Sequence, residues 1–127
     1  MGLDMYAYRT KQKLGKEVNF ENGELDGDQL VELKYWRKHP NLHGYLERVF
    51  REKGGEGEFN CQSVVLTEED LHKLAAALID EDLPETEGFF FGRSDSSEEQ
   101  NKEDLEFVKS ALAAIAEGDT VLYDSWW

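Results

Sequence analysis

Three apolar stripes of helical period, separated by short alternating runs, organise this chain. Leu42, Tyr45, Leu46, Val49 and Phe50 recur at i, i+3, i+4, i+7 and i+8, which lines them along one helix face. Pro40 fits the first turn, where a missing N–H breaks no intrahelical bond, and Gly54-Gly55 stops the helix. Arg48, Arg51 and Lys53 take its other face and its C-terminal end, where the dipole favours cations. Leu71, Leu74, Ala75, Leu78 and Ile79 form the second stripe. Thr67 followed by Asp70 is a capping-box pattern ahead of it, Glu68 and Glu69 suit its first turn, and Leu83-Pro84 marks its end. The third helix is predicted from residue 98 or 101 to Glu117, with Leu105, Val108, Ala111, Leu112 and Ile115 as its apolar face and Gly118 as its C-cap.

The remaining runs have strand character. Leu3, Met5 and Ala7 alternate with Asp4, Tyr6 and Tyr8, the period of two that a half-buried strand shows. Residues 61–66 (CQSVVL) and 120–126 (TVLYDSW) also read as strands. GFFFG at 88–92 is too short for a helix and predicts a buried strand, while LVELKYW at 30–36 fits either a strand or a helix entry. Residues 10–28 are polar and glycine-rich, with a turn signal at Asn22-Gly23, and predict a mobile loop. The expected architecture is α+β: one domain over residues 1–127, with three amphipathic helices packed on one face of a small, mainly antiparallel sheet.

Size and composition agree. The chain has 127 residues, the span of one domain. Leu, Ile, Val and Phe make up about 24% of it, above the level of disordered chains. No run approaches the roughly 18 apolar residues of a membrane-spanning helix. The first residues lack a basic-then-apolar signal pattern. A single cysteine, Cys61, excludes an intramolecular disulfide. The expected location is the reducing cytoplasm.

Charge changes the picture more than composition does. The chain holds 14 basic and 28 acidic side chains, a net of −14. Residues 1–55 hold 10 basic and 9 acidic groups, net +1, whereas residues 56–127 hold 4 and 19, net −15. Such a charge repels phosphates, so direct DNA binding is not expected. The acidic part then has three readings: a solubilising surface, a surface that docks on a basic host or phage protein, or one that pairs with the chain's own basic cluster (Lys34, Arg37, Lys38, Arg48, Arg51, Lys53) within a molecule or across a homodimer.

Candidate chemistry is sparse. His39, His43, His72 and Cys61 are the soft metal ligands, but there is no CxxC or HExxH, so neither a metal nor a cofactor is assigned. Phosphate-binding glycine loops and nucleophile elbows are absent. Asp4 and Asp124 stand among apolar and aromatic neighbours, the setting of a buried acid with a raised pKa. Aromatic residues concentrate in short segments, which suits either core filling or a recognition surface.

The segments GLDMY, YWRKHPNLHGY, LPETEGFFFG and YDSWW, in that order from Gly2 to Trp127, together resemble a family of small, uncharacterised proteins of phages, prophages and bacterial genomes. The resemblance implies a mobile-element origin and carries over no catalytic residue. Some members bear the name phosphoglycerate kinase; this chain has neither a phosphate loop nor the length of a two-domain kinase.

The leading expectation is a non-enzymatic protein-binding module, in one form an inhibitor of a host nucleic-acid-handling protein. Its contact residues are Glu68, Glu69, Asp70, Asp80, Glu81, Asp82, Glu98, Glu99, Glu103 and Asp104. The alternative is a nucleotide-like ligand-binding or metal-binding protein or enzyme, its pocket built from Asp4, Tyr6, Trp36, Arg37, His39, His43 and Trp126, with Tyr35 and Trp36 offering stacking beside Arg37.

Overall fold

A computed structural model describes residues 2–20, 24–84 and 98–127. Its elements are strand β1 (Asp4–Thr10), strand β2 (Val31–Arg37), helix α1 (Pro40–Glu52), strand β3 (Val64–Leu66), helix α2 (Glu68–Ile79), helix α3 (Glu98–Ala116) and strand β4 (Thr120–Trp126). The strands form one antiparallel sheet in the order β2-β1-β4-β3. The α+β expectation holds. The ambiguous segment 30–36 is a strand, and only Val64–Leu66 of the segment 61–66 is extended. The predicted strand at 88–92 lies outside the described residues.

Strand alternation decides which side chains meet the helices. Leu3, Met5 and Ala7 of the first segment, Trp36 of β2, and Val121 and Tyr123 of β4 are buried in the core with Leu42, Leu46 and Phe50 of α1 and Leu71, Leu74 and Leu78 of α2. The alternate residues Asp4, Tyr6 and Tyr8 are half-buried, and among the described residues no helix joins the core cluster from their side of the sheet, where Leu122 and Val65 are nonetheless buried. A bulge sits opposite Ala7 and Tyr8, which pair with Lys34 and Glu32 and skip Leu33. The skipped residue turns Lys34 to the helix side and Glu32 to the other.

The helix ends follow local rules. Thr67 and Asp70 form the full capping box of α2. All three helices close the same way. The amides of Gly54 and Gly55 return to Arg51 and Phe50, those of Gly118 and Asp119 to Ile115 and Ala114, and those of Glu81 and Asp82 to Leu78 and Ala77. This is the Schellman pattern, which needs a left-handed residue after the cap. Gly54 and Gly118 supply it at α1 and α3; at α2 the position is held by Glu81, with φ of 54°. Helix α2 therefore ends at Ile79, four residues before the Leu83-Pro84 signal.

The polar segment 10–28 is tied to the body of the fold at several points. Val18 is buried in the core. The Val65 amide donates to the Glu17 carbonyl, so the outer edge of β3 is partnered there. Gln12 binds the Glu24 carbonyl and the Asp26 amide, and its own carbonyl accepts from Thr120.

Candidate functional site

Three polar regions stand out: two lie on the helix side of the sheet, one outside the helix layer and one beneath it, and the third lies on the opposite face. The first is the outer surface of α2 and α3. Glu68, Glu69, Asp80, Glu81, Asp82, Glu98, Glu99 and Glu103 are exposed. Two basic residues reach this layer from inside the chain: Lys53 binds Asp70 at 2.6 Å and also contacts Glu17, and Lys34 lies 3.8 Å from Glu103. The basic cluster thus pairs with part of the acidic set. Asp70 serves α2 itself: although burial opposes it, the Lys53 ammonium and the Thr67 cap hold its carboxyl below the usual range. Asp80, Glu81 and Asp82 make no ion pair among the described residues. They follow the C-terminus of α2, where the dipole disfavours anions. Ile79 stands beside them with 68% of its surface exposed.

One member of the expected contact set is elsewhere. Asp104 is 2% exposed. Its Oδ1 accepts from Trp36 Nε1 at 2.9 Å and from Gln100 Nε2 at 3.0 Å, and its Oδ2 meets His39 Nε2 at 2.7 Å. Three partners on a buried carboxylate satisfy it without solvent. The inward stripe of α3 is Asp104, Phe107, Val108, Ala111 and Ala114; Leu105, Leu112 and Ile115 are its half-buried flank. Asp104 lies three and four residues before Phe107 and Val108, so the helical period signals its burial once Phe107 is placed on the stripe.

The second region is this buried cluster and its neighbour. His39 caps the N-terminus of α1 by position, with no side-chain capping bond. Four residues on, His43 Nδ1 lies 2.8 Å from the Tyr123 hydroxyl, and its ring stacks on Phe59 at 5.0 Å. Burial holds His43 down to about 4 and drives the Tyr123 phenol well above its ordinary value. Together Asp104 and His43 join β2, α1, α3 and β4. His72 and Cys61 are exposed and take no part in these bonds, and no group of three or more metal-ligating residues forms among the described residues.

The third region is the other face of the sheet, where none of the described helices packs. Its register sets Arg37, Asp4 and Trp126 in one row, Tyr35, Tyr6 and Asp124 in the next, and Glu32, Tyr8 and Leu122 in a third. Tyr35 donates to Asp4 at 2.5 Å. Burial raises Asp124 above the usual carboxylate range, against hydrogen bonds from the Ser125 amide and Ser63. The seven residues of the alternative pocket therefore do not converge. Trp36, His39 and His43 lie on the helix side; Asp4, Tyr6, Arg37 and Trp126 lie on the open side. Period two in β1, β2 and β4 divides them.

Comparison with protein-family models, with curated proteins and with solved structures found no match. No helix among the described residues is long and apolar enough to cross a membrane.

Proposed function

We propose that this chain is a protein-binding module that engages a basic partner through the acidic outer surface of α2 and α3. The observation that carries the reading is the end of α2. Asp80, Glu81 and Asp82 stand exposed where the helix dipole opposes them, Glu81 adopts a conformation that favours glycine, and exposed Ile79 adjoins them. Local stability argues against each choice, and residues that oppose local stability concentrate at functional sites. An apolar anchor rimmed by carboxylates suits a basic surface that also offers a pocket. A groove that otherwise holds a nucleic-acid backbone has this chemistry, so inhibition of a nucleic-acid-handling host protein is the form proposed.

The test is affinity capture from a nuclease-treated bacterial lysate, with the chain and its Asp80→Lys/Glu81→Lys/Asp82→Lys variant run in parallel at low and high salt. The expected result is a basic protein retained at low salt, released at high salt, lost with the variant and displaced by DNA. Equal capture by the variant overturns the reading.

A further inference from the structure

We propose that the part of this sheet face centred on Tyr6, which runs from Tyr35 to Trp126 and stops short of the buried Leu122 and Val65, is a docking surface for an extended, arginine-bearing segment of a basic protein. It lies across the sheet from the acidic layer of α2 and α3 and does not depend on that layer. Tyr6 is the middle of the grid. Its ring stacks along the strand on Tyr8, centroids 6.0 Å apart and planes 11° apart, and packs across the strands on Tyr35 at 5.1 Å. Tyr35 is 42% exposed and Trp126 is 64% exposed.

Aromatic rows on an open antiparallel sheet are also how single-stranded nucleic acids are stacked. Charge decides between the two occupants. Among the described residues that the register aligns on this face, Asp4, Glu32 and the half-buried Asp124 are carboxylates against one guanidinium, Arg37, on a chain of net charge −14. Phosphates are repelled there. A guanidinium is attracted twice, by the negative ring faces and by the carboxylates beside them. Spacing fits as well: side chains two apart on an extended strand stand about 6.5–7 Å apart, close to the 6.0 Å between the Tyr6 and Tyr8 rings. Arginines at i and i+2 therefore meet successive rings.

The test is a titration of the full chain with the peptide Gly-Arg-Gly-Arg-Gly, followed by amide chemical shifts. The expected result is movement at residues 4–8, 31–37 and 122–126. Tyr6→Leu and Tyr35→Leu keep apolar bulk but remove the ring face, and each is expected to weaken binding about fivefold. Asp80→Asn/Glu81→Gln/Asp82→Asn, which neutralises the end of α2 that carries the acidic-surface reading, is expected to leave this affinity unchanged. Thermal melts confirm that the tyrosine variants fold; either folded variant suffices. The proposal is overturned by shifts confined to α2 and α3, by wild-type affinity in a folded tyrosine variant, or by preferential binding of oligothymidylate at these amides. It is equally overturned if the same amides shift with protein concentration alone and the peptide adds nothing, which would assign the face to a second copy.

Discussion

At the residue scale, buried His43 bears on the pH response and buried Asp104 on the stability of the core. His43 titrates near 6.5 in an unfolded chain and near 4 in the fold, where burial disfavours its charged form. The folded state binds fewer protons between those values. Its stability is complete above pH 6.5, declines as pH falls, and levels off below about 4, a loss of about 3 kcal/mol across the window. Asp124 works in the opposite sense, since its raised folded pKa makes protonation favour the fold as pH falls. The contribution of His43 is therefore read as a difference. Melting temperatures of the wild type and His43→Phe, compared from pH 7.5 to 4.5, should show a shallower acid decline in the variant. Parallel curves would contradict the neutral, buried histidine. Asp104 gives a second prediction. Asp104→Asn turns an amide donor towards one of the partners Trp36, His39 and Gln100, and should cost about 2–4 kcal/mol in urea unfolding. Glu103→Gln, one residue away and exposed, should stay within about 0.5 kcal/mol.

At the scale of elements, the three helix ends form a natural comparison. Each closes with the same pair of hydrogen bonds, but only α2 does so without glycine. Glu81→Gly removes the left-handed strain and one anion from the negative end of the dipole, and should stabilise the fold by about 0.5–1 kcal/mol. Equal or lower stability, measured by chemical denaturation, would show that Glu81 makes a compensating contact. The same comparison shows what was legible in the sequence. Pro40, Thr67 with Asp70, and Gly118 announce their helix ends through one-residue chemistry. The end of α2 at Ile79 is not legible, because a left-handed glutamate leaves no local signal and Leu83-Pro84 is the next stop the sequence offers.

At the scale of the molecule, the sheet sorts the charges and aromatics. The central pair is β1 with β4, joining opposite ends of the chain. Acidic residues face outward from the helix layer, whereas the open sheet face combines tyrosines with a smaller set of carboxylates. The side chains of Asp80, Glu81 and Asp82 face solvent, so reversing all three should abolish partner capture while leaving the melting temperature equal to or above that of the wild type. A variant that melts early would attribute lost capture to unfolding instead.

The sequence by itself determined the α+β class, the three amphipathic helices, the capping box of α2, the glycine ends of α1 and α3 and the segregation of charge. These follow from periodicity and short-range chemistry, which act within one or two turns of chain. Only the tertiary structure decided that Asp104 is buried beneath Trp36 and His39, and that Asp4, Tyr6, Arg37 and Trp126 stand across the sheet from Trp36, His39 and His43. An aspartate on a helix reads as surface until a distant tryptophan and histidine supply its hydrogen bonds. Neighbours such as Trp36 and Arg37 read as one cluster until the pleat of β2 sends them to opposite faces.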